Sequence, residues 1–463
     1  MFDISGTYWP GSVATAALLL AWAVGAQAQS PSWAAESGQA GAGFGYSVAW
    51  AGDVNGNGYD DVLVGAPLWS NGEDREGKVY LFYGSANGLS PTPGWTWESD
   101  IPLAEAGISV ASAGDVNGDG YADIIIGAWK YSNGKSSQGA AFVFHGGPNG
   151  PGDEPDWVAE GAQVFGFFGV SVASAGDVNG DGYDDVIIGA HYHNASQINE
   201  GAAFVFHGSP TGLRATPSWT GTGGQGGSEY GFAVASAGDV DGDGYDDILV
   251  GSPRYNGGFI DEGRAYLYRG SANGIIATPA WTAQGNQGDA RMGSSVRGAG
   301  DINGNGFADV IIGVPRFNNG QTNEGRAYAY HGSAGGLLST PAWVVESNQE
   351  WALFGAAAAG VGDVNGDGYD DVVVGAYWYN ETATDEGSIF LYNGTDLGLT
   401  TQDAFSAAVG QANGRFGFSV APAGDVNGDG YADFIVGAPQ YSNGETNEGR
   451  AFVFYGSPAG VQI

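Results

Sequence analysis

Oxygen-bearing side chains recur along this chain at a fixed interval. The pattern of Asp53-Val54-Asn55-Gly56-Asn57-Gly58-Tyr59-Asp60-Asp61 occurs seven times, each start 62 residues after the last. Loop position 1 is always aspartate: Asp53, Asp115, Asp177, Asp239, Asp301, Asp363 and Asp425. Position 3 holds Asn55, Asn117, Asn179, Asp241, Asn303, Asn365 and Asn427; position 5 holds Asn57, Asp119, Asp181, Asp243, Asn305, Asp367 and Asp429. Position 9 is again aspartate: Asp61, Asp123, Asp185, Asp247, Asp309, Asp371 and Asp433. Alternate side chains of a tight loop converge on one point, and a backbone carbonyl at position 7 (Tyr59, Tyr121, Tyr183, Tyr245, Phe307, Tyr369, Tyr431) adds another oxygen. Glycine at position 6 permits the turn that brings 7 and 9 back. Such all-oxygen sets suit Ca2+, which takes about six to eight hard ligands, so the chain is expected to hold up to seven calcium ions.

Other metals fit less well. Magnesium prefers water and strict octahedral geometry, and zinc lacks cysteines or repeated histidine pairs. The loop is not an EF-hand. The glutamate that motif needs at position 12 is replaced by Val64, Ile126, Ile188, Val250, Ile312, Val374 and Val436. A metal-free Asx-rich turn explains one such loop, but not aspartate kept at positions 1 and 9 through seven. Ligand charge ranks the sites: the Asp239 loop, with four aspartates, is expected to bind tightest, and the Asp53 and Asp301 loops, with two aspartates and two asparagines, more weakly.

The elements that position these loops follow from the same period. Each unit carries four short apolar runs bounded by Gly or Pro, which read as strands. One starts at Trp33, Trp95, Trp157, Trp219, Trp281, Trp343 or Phe405. The next follows a Phe-Gly type pair (Phe44-Gly45, Phe168-Gly169, Tyr230-Gly231, Met292-Gly293, Phe354-Gly355, Phe416-Gly417), with Ala106-Gly107 departing in the second unit. A β-branched run follows the acidic loop and ends in a turn such as Gly65-Ala66-Pro67, and the last run follows Glu76-Gly77 and its equivalents. Four strands per unit and seven units predict an all-β, seven-bladed β-propeller of antiparallel blades. The chain stops just short of an eighth Trp run. The Trp33 strand is therefore expected to complete the last blade and close the ring, removing two open edges.

These motifs resemble the FG-GAP repeats of the integrin α-subunit β-propeller, over residues 31–463. The resemblance implies a seven-bladed propeller with calcium loops between the first two strands of a blade. Integrins carry such loops in only some blades, whereas here every repeat has one. The resemblance covers the propeller and not the remaining integrin ectodomain, transmembrane helix or cytoplasmic tail, so receptor signalling is not expected to carry over.

Composition narrows the function. With 51 acidic against 14 basic residues the net charge is −37, which repels nucleic acid. There is no cysteine, which excludes disulfides and thiol chemistry. Residues 1–28 read as an export signal: an apolar run from Val13 to Val24 precedes Ala26-Gln27-Ala28, although Asp3 stands where a basic start is usual. The run is too short to span a membrane comfortably. The propeller is then expected over 29–463, as a secreted, periplasmic or cell-surface monomer.

No nucleophile elbow, phosphate loop or zinc-protease helix is visible, and no catalytic residue is assigned. His145, His207 and His331 share a repeat position with Tyr83, Arg269, Asn393 and Tyr455, which points to packing. The turns after the β-branched runs vary more, offering Trp129, Lys130, His191, Tyr192, Arg254, Arg316, Tyr377 and Trp378, while Trp69, Tyr131 and their equivalents read as core. Aromatic and arginine side chains anchor binding surfaces. The resemblance implies that these turns face away from the calcium loops. The reading is an exported, calcium-binding adhesion or ligand-binding module whose partner is an extracellular protein or glycan. The alternatives are a secreted lyase- or phospholipase-like enzyme, or a lectin, using that same face.

Overall fold

The computed structural model describes residues 31–462; the export-signal reading of residues 1–28 lies outside them. Twenty-eight strands, β1 to β28, form seven four-stranded antiparallel sheets. The first complete blade shows the pattern: β2 (Ser47–Gly52), β3 (Asp61–Ala66), β4 (Lys78–Phe82) and β5 (Trp95–Glu98), ordered β2-β3-β4-β5 from the axis outward. The innermost strands of neighbouring blades pack side by side around a central channel. The second strand of every blade is buried along its whole length, which is why its sequence is continuously apolar rather than alternating.

The last sheet takes its fourth strand from the start of the chain. β1 (Trp33–Glu36) pairs with β28 (Arg450–Phe454) in the register Trp33↔Val453 to Glu36↔Arg450. Trp33 also reaches the next blade, its Nε1–H donating to the Ser90 carbonyl at 3.0 Å and its ring meeting Phe82 edge-on at 4.9 Å. Trp95 and Trp343 repeat this bond to Gly152 and Thr400 at 2.9 and 2.8 Å. With Trp157 and Trp281 bonding to Arg214 and Leu338, five outer-strand tryptophans fasten their own blade to the following one.

The core lies between blades. One cluster joins Ile435 and Val453 of the last blade to Val62, Val64, Tyr80 and Phe82 of the first. Where the pair carries an aromatic, its ring fills the layer: Phe44 packs on Tyr80 at 5.1 Å and Phe168 on Phe204 at 5.5 Å. Trp69 and Tyr131, expected in the core, are instead half-buried at its margin. Long cationic side chains shelter this ring position, with Lys78 4.8 Å from the Trp69 ring, Arg264 3.8 Å from Tyr255 and Arg326 3.6 Å from Phe317. Among the described residues no helix is long and apolar enough to cross a membrane.

Candidate metal centres and ligand face

Every acidic loop joins the first and second strands of a blade, so all seven emerge on one face. Within a loop, the position-1 aspartate organises the backbone: Asp115 accepts N–H bonds from Gly118, Asp119 and Gly120 at 2.7, 3.1 and 2.8 Å. The position-9 aspartate is fully buried. Asp61 accepts the Val54 N–H at 3.0 Å on one oxygen and the Gly84 N–H at 2.9 Å on the other, and Asp433 does the same with Val426 and Gly456. Burial pushes the carboxyls of Asp61, Asp123, Asp247, Asp309 and Asp371 up to about 7, against the pull of these backbone N–H groups. It pushes Asp185 and Asp433 up to about 8.

The donor set at each loop is oxygen, the chemistry a hard divalent cation requires. In the fourth loop, carboxylate oxygens of Asp239, Asp241 and Asp247 all lie within 4.8 Å of one another, a spacing that fits one ion. That loop also contains a competitor. Arg269, at the end of β16 (Arg264–Tyr268), places Nη1 2.6 Å from Asp241 Oδ2.

The loops also hold one another, a function that local spacing does not reveal. The position-8 N–H of each loop donates to the position-1 carbonyl of the preceding one: Ala122 to Asp53 at 3.2 Å, and, closing the circle, Asp60 to Asp425 at 3.3 Å. Where position 8 is aspartate its carboxylate answers, as Asp60 accepts the Asp425 N–H at 2.8 Å and Asp184 that of Asp115 at 2.7 Å. The ring of the position-7 aromatic lies on the position-4 glycine of the preceding loop, Tyr121 on Gly56 and Tyr59 on Gly428. His145, His207 and His331 pack against the turns of following blades at Gly212, Gly274 and Gly398.

The turns joining second and third strands lie on the opposite face, with the connections between blades. There Trp129, His191 and Tyr192 come together with Phe167 and Phe232. Ring centroids are 5.1 Å apart for Trp129–Phe167, 5.5 Å for Phe167–His191, 4.3 Å for His191–Tyr192 and 5.8 Å for His191–Phe232. Burial, reinforced by the Arg254 charge, pulls the His191 imidazole down to about 4, so it is neutral here. Across the mouth, Tyr377 contacts Trp378 at 5.6 Å and Phe418 at 5.2 Å, and Phe418 contacts Tyr46 at 4.8 Å. Lys130, Arg254 and Arg316 do not share a cluster. Each pairs with an acid of its own inter-blade connection: Lys130 with Glu105 at 2.9 Å, Arg254 with Glu229 at 3.3 Å and Arg316 with Asp289 at 3.1 Å. Trp129 Nε1–H also donates to Glu105, at 2.7 Å.

Sequence reasoning overlooked Phe167, Phe232, Tyr46, Phe418, Glu105 and Glu229. A signal was present, because these repeat positions change type from blade to blade. Glu105, Phe167 and Glu229 also hold left-handed backbone, with φ of 52°, 53° and 57°. Non-glycine residues there cost about 1–3 kcal/mol each and concentrate at working surfaces.

Fold and site together define a closed seven-bladed propeller with an acidic loop on every blade. The chain belongs to the FG-GAP repeat family, whose model matches residues 44–82, 106–144, 168–206, 230–268, 292–330, 354–392 and 416–454. It is 36% identical to integrin alpha-5 of Xenopus laevis over 171 residues, 35% of this chain and 16% of that protein. It is 34% identical to human integrin alpha-IIb over 262 residues, 54% of this chain and 23% of that one. The chain thus spans less than a quarter of the length of these relatives. Among solved structures, the exotype rhamnogalacturonan lyase YesX matches with a TM-score of 0.42 and 13% identity, over 89% of this chain and 72% of that one.

Proposed function

We propose that this chain is an exported, calcium-stabilised propeller that serves as an adhesion or ligand-binding module. The observation that carries the reading is the closed hydrogen-bonded ring of seven acidic loops. It ties the oxygen donors of one face into a single scaffold and leaves the other face to vary blade by blade. In each loop the position 1, 3, 5 and 9 side chains and the position-7 carbonyl would hold a calcium ion, whose charge would offset the crowded carboxylates. The variable face, with its two aromatic clusters around the channel mouth, would take an extracellular protein or glycan. The apolar run and Ala26-Gln27-Ala28 support export, and integrin relatives support a binding function on this fold.

Ions that bind only the folded state stabilise it. Metal-stripped protein is therefore expected to melt several degrees below calcium-loaded protein, with calcium but not magnesium restoring the difference at equal low concentration. Identical melting curves with and without chelator would sink the calcium reading. Immobilised calcium-loaded protein screened against glycans and extracellular matrix proteins tests the variable face, and Trp129→Ala and Trp378→Ala should weaken whatever is captured.

A further inference from the structure

The mouth of the central channel holds one arginine with no acid to answer it. Arg297 lies on the innermost strand β18 (Ser295–Gly300), at a repeat position occupied in the other blades by Ala49, Ala111, Ala173, Ala235, Ala359 and Ala421. Its one hydrogen bond runs from Nη1 to the Val234 carbonyl of the preceding blade, at 3.2 Å. It forms no ion pair among the described residues.

The side chain lines a cavity of about 300 Å³ shared with Phe232, His191, Trp129, Tyr46 and Phe418. No aspartate or glutamate lines that cavity, in a chain with 51 acids. Two carboxylates of the variable face, Glu105 and Glu229, are already engaged, Glu105 by Lys130 and Arg75 and Glu229 by Arg254. Protein crowds the guanidinium closely enough that burial draws it below the ordinary arginine range, yet it stays partly open to the cavity. A confined cation without a counter-charge is unfavourable, and pairing relieves it. The guanidinium fork matches a carboxylate, offering two parallel N–H donors. Val234, which accepts from Arg297, lies two residues beyond Phe232, and the Phe232 and His191 rings are 5.8 Å apart. An apolar wall thus begins beside the charge.

We propose that the channel mouth binds a small organic monocarboxylate, with its acid group on Arg297 and its planar apolar body against Phe232, His191 and Trp129. This goes beyond the adhesion reading by assigning a ligand chemistry to the inner part of the variable face. It stands apart from the calcium loops on the opposite face.

The test is calorimetric titration of the calcium-loaded full chain with benzoate, acetate and neutral benzamide. Benzoate should bind with one-to-one stoichiometry, acetate more weakly for want of a ring, and benzamide weakly. Arg297→Ala should lower benzoate affinity at least about tenfold, as expected for a lost charge-assisted pair, and leave benzamide unchanged. Alanine is the residue of the other six blades, so this variant should melt close to wild type. Arg297→Lys, which keeps the charge and loses the fork, should fall between the two and serves as the second variant. Absence of saturable benzoate binding, or equal benzoate affinity in wild type and Arg297→Ala, would overturn the proposal. Neither result bears on the chelation experiment, so failure here is distinguishable from failure of the calcium reading.

Discussion

The Tyr59 ring lies against Gly428, joining the first acidic loop to the last. A Cβ built on Gly428 would fall 2.6 Å from Tyr59 Cε1, at a backbone φ of +72°. Two residues on, Gly430 has a similar φ of +87° and nothing within 4 Å of its Cβ direction. Both positions disfavour alanine through left-handed strain, about 1–2 kcal/mol. Only Gly428→Ala adds a collision with the neighbouring blade, worth about 1–3 kcal/mol more. Urea unfolding should therefore rank Gly428→Ala below Gly430→Ala. Adding Tyr59→Ala should recover part of the Gly428→Ala loss and none of the Gly430→Ala loss. Equal destabilisation by the two alanines would show that the ring contact is not what reserves Gly428.

A second contact explains why the second repeat can hold alanine at its Phe-Gly position. Ala106 stands where Phe44 and Phe168 fill the layer between blades, and it is fully buried. Trp97, where the neighbouring repeats carry Ala35 and Ala159, packs its ring 4.9 Å from Phe142 and 5.2 Å from Phe144. The missing ring is supplied from the outer strand. Trp97→Ala alone should destabilise by less than the about 3–5 kcal/mol of a fully buried ring, since Trp97 is half-buried, and Ala106→Phe alone should destabilise by overpacking. The double variant should be more stable than either single one. If denaturant melts instead show the two losses simply adding, the exchange of rings is not the compensation.

Much of this was readable from one repeat and its period. The 62-residue interval and four apolar runs set blade number and strand order, and the phase of the Trp33 run required it to join the last sheet, where it pairs with Val453. What escaped the sequence are relations between repeats. Tyr59 was assigned only a carbonyl within its own loop, because spacing along one loop says nothing about the glycine its ring covers a blade away. Asp60 was given no role from its loop position, and its carboxylate accepts the Asp425 N–H of another blade. Arg297 hid at a repeat position held by alanine in the other six blades, since a single departure at one repeat position carries no weight until seven strands are gathered around a channel.

Arg269 alters the ranking of the acidic loops. Four aspartates in the Asp239 loop argue for the tightest site, yet the guanidinium 2.6 Å from Asp241 already neutralises one of them. Asparagine fills the equivalent position, Asn393, two blades on, so Arg269→Asn should fold. Calcium titration of that variant should show one site tightened by about tenfold, the order expected when a nearby like charge is removed from a cation site. Superimposable wild-type and variant titrations would mean that the pair does not compete with the ion.

His191 gives the molecule a predictable acid sensitivity. The imidazole is only 5% exposed, and burial, with the Arg254 charge, lowers it to about 4. An unfolded histidine titrates near ~6.5. Between those values the unfolded chain binds the extra proton, so stability from this group is complete above about pH 6.5 and is lost as pH falls toward 4. The loss approaches about 3 kcal/mol once both states are protonated. Glu229, which pairs with Arg254 and is itself raised by burial, also titrates on the acid side. The informative quantity is therefore the difference between wild type and His191→Phe at each pH. His191→Phe should narrow the gap between stability at pH 7 and at pH 4.5, with the two proteins differing least in slope above pH 7. Parallel curves for wild type and His191→Phe from pH 7 to pH 4 would show that His191 reaches protons in the folded state as freely as in the unfolded one.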